Sequence, residues 1–250
     1  MTRTSKMPGL SYSLPAWECQ VGAKLRTVKG SVCSGCYALK GNYTRYPAIK
    51  AAQYYRLQSL RDPQWIPAMV TQIKRQKYFR WHDAGDLQGA WHLKNIMEVC
   101  LQTPSTKHWL PTREVKYTSL MDPDIIPSNL KIIISDHMID QATPVKSWPY
   151  TSGVTTKHDA TCPAPSQGGK CGSCRQCWDR DVARVTYCKH WIRSYKKISR
   201  RVVYSQWLQA SSRKLQAPSE ASLKPQASSP KQQASSVKPQ ATSSSILNPS

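Results

Sequence analysis

Apolar side chains recur at helical spacing in three stretches of the chain and at strand-like spacing in four others. The stretch PAIKAAQYYRLQSL places Ile49, Ala52 and Leu60 on one face of a helix. In the next helical stretch a proline falls within the first turn, where its missing N–H is tolerated. The three helices are predicted over residues 47–60, 65–77 and 89–103.

Short runs of β-branched and aromatic residues alternate with these helices and predict strands. The clearest run, LKIIIS, is continuously apolar apart from one lysine and a terminal serine. Strand starts lie roughly 23 to 30 residues apart, which is the spacing of βα units and therefore of a parallel sheet. We predict an α/β fold, either a parallel βα sheet or a partial (βα) barrel, in preference to a mixed α+β domain. The strands are predicted over residues 77–81, 107–110, 130–135 and 153–157.

The composition changes near residue 205. Residues 205–250 are rich in Gln, Ala, Ser, Pro and Lys and contain a degenerate repeat. Such a segment cannot bury enough apolar area to offset the entropy lost on ordering, so it is predicted to be a disordered tail. Residues 1–204 are then expected to form one metal-binding α/β domain with a cysteine-rich C-terminal segment.

The chain is strongly basic, with 36 Lys and Arg against 14 Asp and Glu and a net charge of +22. Most of that excess precedes the low-complexity tail. A basic domain of this kind typically meets a polyanion, so nucleic acid or a nucleotide is the predicted partner. The alternative is a basic surface that only keeps the protein in solution. We find neither a signal peptide nor an apolar run of membrane-spanning length, and therefore expect a reducing cytoplasm and no membrane partner.

Polar side chains follow the predicted strands, and in a parallel sheet the carboxyl ends of the strands form the site. The motif RWHDAGD places Asp83 and Asp86 there, with Gly85 between them to permit a tight turn. Paired carboxylates serve as general base, nucleophile or metal ligand. Arg113, after the next strand, is a candidate for binding phosphate. These three are the predicted catalytic residues; the alternative is that they are ordinary polar loop residues.

Four cysteines near the C-terminal end of the domain predict a metal centre. Cys171, Cys174 and Cys177 form a C-x2-C-x2-C run, and Cys162 precedes a proline upstream. Thiols clustered in a reducing compartment bind metal more often than they form disulfides. A four-iron (4Fe-4S) cluster is favoured, because ferredoxins combine such a triple with a remote Cys-Pro, although there the Cys-Pro lies downstream. Zinc is the alternative, although its structural sites more often use two separate C-x2-C pairs.

A second, smaller group of cysteines lies in the N-terminal part. Cys33 and Cys36 form a C-x2-C pair, and thirteen residues separate Cys19 from Cys33. Three thiolates can hold an iron–sulfur cluster with one iron left open to substrate. Radical enzymes that use S-adenosylmethionine carry C-x3-C-x2-C instead. We predict a second cofactor-binding site on these three cysteines; the alternative is buried thiols without a cofactor.

The motifs CSGCYALKGNY, RWHDAGD, SDHMID and CPAPSQGGKCGSCRQCW occur in the order found in the bacteriophage gene-product-eighty-eight-like domain family. Over residues 8–192 the chain resembles that family. The resemblance implies a phage protein of the host cytoplasm, with a cysteine-bound metal and a βα architecture similar to radical or base-exchanging barrels.

These features together predict a phage metalloprotein that acts as an enzyme on nucleic acid or a nucleotide. A transglycosylase-like base exchange would use an aspartate nucleophile and structural zinc. A redox or radical reaction would need an iron–sulfur cluster. The alternative from another class is a non-catalytic, zinc-stabilised nucleic-acid-binding protein.

Overall fold

The computed structural model describes residues 1–119, 121–143 and 148–189. The predicted disordered tail, residues 205–250, lies outside the described residues, as does the end of the predicted domain.

A seven-stranded sheet organises the chain, and its strands follow one another across the sheet in sequence order. Every neighbouring pair from the second strand onward is parallel, so those strands have their carboxyl ends at one edge, hereafter the carboxyl edge. The predicted α/β class with a mainly parallel sheet is confirmed. The strands are Thr2–Arg3 (β1), Leu10–Tyr12 (β2), Tyr78–Trp81 (β3), Lys107–Thr112 (β4), Leu130–Ser135 (β5), Thr151–Thr155 (β6) and Arg184–Cys188 (β7).

The first pair of strands corrects the expectation of a wholly parallel sheet. β1 and β2 are antiparallel, with Thr2 opposite Ser11 and Arg3 opposite Leu10. Only a short link joins them, and a short link can join antiparallel strands, whereas parallel strands need a longer crossover.

Of the six α-helices in the described residues, three lie where apolar spacing predicted them, with shifts of a few residues at their ends, and three shorter ones were not predicted. α3 begins at a proline, whose fixed φ suits the first turn of a helix. α4 buries Trp65, Met69 and Ile73, which are spaced four residues apart along one face. The helices are Gln20–Leu25 (α1), Asn42–Arg45 (α2), Pro47–Ser59 (α3), Trp65–Ile73 (α4), Ala90–Leu101 (α5) and Val115–Thr118 (α6).

The two faces of the sheet bury different partners. Side chains alternate between the faces along each strand, so Phe79, Leu110 and Ile132 join the main core together with α4 and α5. Trp109 and Ile133 point to the other face, hereafter the second face, where they pack with Trp178. The cysteine-rich segment therefore covers the face of the sheet that the helices leave open.

A buried lysine attaches that segment to the sheet. Lys131 is 1% exposed and lies on the second face of β5. Its ammonium group donates hydrogen bonds to the carbonyls of Gln176 (2.9 Å), Asp179 (2.5 Å) and Val182 (2.7 Å). An ammonium has three donors, so all three are satisfied, and this offsets part of the cost of burying the charge. Burial lowers the pKa of Lys131.

Buried histidines make the stability of the fold sensitive to acid. Burial lowers the pKa of His92 to about 3, and the pKa of His108, whose Nε2 lies 2.9 Å from the Thr103 hydroxyl, also to about 3. Both rings are therefore neutral in the folded protein. The unfolded chain takes up a proton at each histidine below its ordinary pKa near 6.5, so stability is full above that pH and falls as the pH drops toward 3.

We predict a loss of about 2 kcal/mol of unfolding free energy per histidine between pH 7.5 and pH 5. Urea unfolding at the two pH values measures the loss. His108→Gln should reduce the difference between the two pH values by about 2 kcal/mol, even though it destabilises the protein at both. An undiminished difference in that variant would show that other groups cause the acid sensitivity.

Candidate metal centres and active site

Asp86 joins the carboxyl ends of β3 and β4. Its Oδ1 accepts hydrogen bonds from the Thr112 hydroxyl (2.6 Å) and the Leu87 N–H (2.8 Å), and its Oδ2 accepts one from the Arg113 N–H (2.9 Å). Burial raises the pKa of Asp86, and these donors oppose the rise. The turn before it needs a glycine, since Gly85 has a φ of 81° and a Cβ there would lie 2.6 Å from the Cβ of Leu14.

Glu114 extends this hydrogen-bonded chain to the first cysteine. Its N–H donates to the Thr112 hydroxyl (3.0 Å), and its Oε1 accepts from the Val21 N–H (2.7 Å), two residues after Cys19. Its Oε2 is buried without a hydrogen-bond partner, and burial raises the pKa of Glu114. Glu114 is not among the site residues predicted from the sequence. Its position directly after Arg113, at the end of a strand, is the feature that could have indicated it.

Asp83 has a different environment from Asp86. It is 1% exposed, and its Oδ2 accepts a 2.8 Å hydrogen bond from the Tyr43 hydroxyl. Its main-chain carbonyl accepts a hydrogen bond from the Tyr37 hydroxyl. Its Oδ1 is buried without a partner. Asp83 therefore retains an unused acceptor beside the segment that follows Cys36.

Cys19, Cys33 and Cys36 come together at the carboxyl edge. A Cβ at Gly22 would lie 3.7 Å from the Sγ atoms of both Cys19 and Cys33. Cys19 and Cys36 both pack against a cluster of small buried residues that includes Ala84, in the turn between β3 and Asp86. Burial raises the pKa of Cys19, and negative charge on Asp86, Cys36 and Cys33 raises it further. These cysteines, together with Asp83, Asp86, Arg113 and Glu114, are called the edge site below.

Main-chain hydrogen bonds fix the loop that carries Cys33. The Val32 N–H donates to the His137 carbonyl (2.9 Å), and the Ile139 N–H donates to the Gly30 carbonyl (3.0 Å). The loop is thereby bound to the segment that follows β5. Arg113 reaches the same segment, since its Nε donates to the Asp136 carbonyl (3.1 Å). Burial raises the pKa of Cys33, and the charge of Arg113 opposes that rise.

The four C-terminal cysteines line one small cavity, together with Trp178 and Val185. The Cys162 N–H donates to the Thr186 carbonyl of β7 (2.9 Å). The Cys171 N–H donates to the Lys6 carbonyl (2.8 Å). These bonds bring together cysteines that are separated by up to fifteen positions in the chain. The cavity-lining cysteines are Cys162, Cys171, Cys174 and Cys177, here called the C-terminal site.

The thiols of the C-terminal site surround a shared space without converging on one point. Within the part of the chain that the structure describes, no three His, Cys, Asp or Glu side chains are arranged to hold a single metal ion. Burial raises the pKa of Cys162 and of Cys171, and that of Cys177 to about 12. Thiols with raised pKa values lose their protons on binding a metal, so metal binding would release protons.

The family model for Gene product 88 matches residues 1–180. The chain belongs to the Gene product 88 family. The match confirms the resemblance to this phage family, and it includes every cysteine of the edge site and of the C-terminal site. No curated protein and no solved structure matches the chain. Among the described residues, no helix combines the length and apolar character needed to cross a membrane.

In this member of the Gene product 88 family, Arg80 lies between the two cysteine sites. It is on the second face of β3, where its guanidinium stacks 4.4 Å from the centre of the Trp109 ring. Burial lowers the pKa of Arg80, but negative charges outweigh burial, so that the net shift is upward. Tyr37 contributes most to the rise and Asp83 of the edge site comes next, while Cys177 of the C-terminal site contributes less. Its Nε is buried without a partner.

The contrast between the two aspartates predicts different effects on stability. Asp86→Ala leaves three buried donors without an acceptor and should lower the unfolding free energy by about 3 kcal/mol. Asp83→Asn keeps an oxygen that can accept from Tyr43, so it should cost clearly less. Urea unfolding of the two variants and the wild type gives the comparison. Equal losses would contradict the assignment of Asp86 as the residue that joins the strands.

Proposed function

We propose that the chain is an iron–sulfur enzyme that acts on a nucleic acid or a nucleotide, with the reaction at the edge site. One observation carries the proposal: Cys19, Cys33 and Cys36 lie near one another at the carboxyl edge of a parallel sheet, the same edge that holds a buried aspartate with an unused oxygen. Sites in parallel sheets form at that edge. Three thiolates would hold a four-iron cluster and leave one iron open, so the bound cluster would supply electron transfer or substrate activation.

The residues of the edge site have distinct roles in this proposal. Asp83 is the candidate general acid or base, because its Oδ1 is buried and unpaired while Tyr43 holds its Oδ2. Asp86 is a positioning residue, because both of its oxygens are engaged by donors from the ends of β3 and β4. Arg113 provides a half-buried cation beside Cys33, suited to a phosphate of the substrate.

The C-terminal site suits a complete set of cluster ligands. Its four thiols line one cavity. Three of them form a C-x2-C-x2-C run with a Cys-Pro elsewhere in the chain, as the ligands of four-iron clusters do, whereas structural zinc sites more often use two separate C-x2-C pairs. With all four positions filled by protein, such a cluster would act in electron transfer or in holding the segment on the sheet.

A zinc-stabilised nucleic-acid-binding protein is the second candidate. The contact between Trp178 and the second face supports it, because a metal in the C-terminal site would then hold core structure in place. In that case the basic charge of the protein alone would account for its binding of nucleic acid. The metal content of the protein separates the two candidates.

We predict that anaerobically purified protein is brown, absorbs in the visible range, and contains iron and sulfide in equal amounts. Cys36→Ser should remove about half of the iron and leave the chain folded, because an open site serves chemistry more than folding. Cys174→Ser should remove the other half and give poorly soluble protein, since metal affinity at a structural site is folding free energy. Iron and sulfide analysis with visible spectra measures each loss.

Cys188→Ser is the matched control, since Cys188 belongs to neither site, and it should keep all the iron. Zinc without iron would establish the second candidate instead. Wild-type metal content in Cys174→Ser would refute the assignment of the C-terminal site.

A further inference from the structure

All charged side chains of the segment that carries the cysteines of the edge site are cations. Residues 19–61 contain eight Lys and Arg and no Asp or Glu. The nearest acids along the chain are Glu18 and Asp62, which flank the segment. This stretch includes α1, α2 and α3. A polyanion would therefore meet cations there without repulsion from an acid of the same segment.

The same segment exposes aromatic rings. Tyr37, Tyr46, Tyr54 and Tyr55 are 48%, 48%, 42% and 73% exposed. Within the described residues, these are all of the aromatic side chains that reach such exposure. Aromatic rings ordinarily supply large buried area to a core. Exposed rings interleaved with cations are instead the arrangement on which successive bases of a single strand stack.

Contacts on α3 order part of this surface in advance. Trp17 Nε1 donates a 2.6 Å hydrogen bond to the Tyr54 hydroxyl, and the two ring centres lie 5.5 Å apart. The Lys50 ammonium lies 5.7 Å from the centre of the Trp17 ring. Tyr46, Lys50 and Tyr54 are spaced four residues apart and so lie on one face of α3, whereas Tyr55 points to another side of the helix. Rings that are already ordered lose less entropy on binding than mobile ones.

The surface is continuous with the edge site. Trp17 precedes Cys19 by two residues, and the Arg26 guanidinium donates a hydrogen bond to the Trp17 carbonyl at 3.3 Å. At the other end, the half-exposed Tyr37 directly follows Cys36 and donates its hydroxyl proton to the Asp83 carbonyl. The rings of Tyr37 and Tyr43 lie 6.0 Å apart. A strand bound along α3 would thus reach the edge site.

We propose that Trp17, Tyr46, Lys50 and Tyr54 form a binding surface for single-stranded nucleic acid, and that this surface delivers the strand to the edge site. The delivery rests on the proposed function, whereas the binding does not. Unpaired bases are required because only they can place their faces on the rings. A duplex would gain the contacts with cations alone.

The test is fluorescence anisotropy of the full chain with a labelled single-stranded oligonucleotide of mixed sequence, at several salt concentrations. Tyr46→Ala should weaken binding roughly 5- to 150-fold, as expected for the loss of one stacked base. Leu101→Ala is the matched control, because Leu101 is 60% exposed but ends α5 at the opposite edge of the sheet. It should bind as the wild type does.

A pair of lysine variants tests the contacts with phosphate. Lys50→Gln should lower the slope of log affinity against log salt by about 0.7, because one fewer phosphate is neutralised. Lys107→Gln, an exposed lysine at the start of β4, should leave the slope unchanged.

Equal effects of the surface and control variants would overturn the proposal, as would tighter binding of the matching duplex or binding of mononucleotides only. Iron analysis of the same samples separates this proposal from the proposed function. Binding that depends on Tyr46 in protein without iron would retain the surface and refute the iron–sulfur enzyme. Iron-replete protein that does not bind the single strand would refute the surface and retain the iron–sulfur enzyme.

Discussion

The carboxylate of Asp86 is the interaction on which the carboxyl edge depends. It accepts hydrogen bonds from the Thr112 hydroxyl and the Arg113 main chain, beyond the last residues that pair β3 with β4. From Thr112 the chain of bonds continues through Glu114 to Val21, and so to the helix that follows Cys19. Burial disfavours the charged form of Asp86, and the hydrogen bonds from three donors recover much of the solvation free energy that the carboxylate loses. Removing this carboxylate would disconnect two strands and the first cysteine together.

A second constraint comes from the face of the sheet that the helices leave uncovered. Parallel strands are stable when both faces are buried, and here the cysteine-rich segment supplies the second cover. Lys131 holds the segment by three carbonyls, and Trp178 adds a 2.8 Å hydrogen bond from its Nε1 to the Phe79 carbonyl. The C-terminal site is therefore attached to core structure, which is why a change at Cys174 is expected to affect folding.

The sequence predicted most of the architecture because its longer elements agree with their apolar spacing. β5 has the predicted bounds, and the regular spacing of the strands correctly indicated parallel order. β1 and β2 were not predicted because a strand of two or three residues is too short to show an alternation of apolar and polar positions. β7 was not predicted because it mixes polar and apolar residues on a half-covered face.

Spacing was less informative about which side chains are buried and what each carboxylate does. The apolar stripe predicted for α3 enters the core only at its C-terminal end: Leu60, directly after the helix, is 1% exposed, whereas Ile49 is 37% exposed and only Gln53 within the helix is fully buried. Periodicity finds a helix but cannot tell a core face from a face that meets another molecule. In the same way, two aspartates three positions apart looked alike until their hydrogen bonds distinguished Asp86, with both oxygens engaged, from Asp83.

The absence of acids from residues 19–61 has a physical explanation if both proposals hold. The segment would carry three thiolates of a cluster and, on the same stretch, the contacts with a polyphosphate chain. The thiolates and the phosphates are both negatively charged, and an added carboxylate in the segment would repel them. The acids of the edge site come instead from the ends of β3 and β4, where Asp83 and Asp86 are buried and Arg80 and Arg113 supply opposing charge nearby. Under those proposals, separating acids by element in this way would allow one basic segment to bind substrate and still adjoin a carboxylate that transfers a proton.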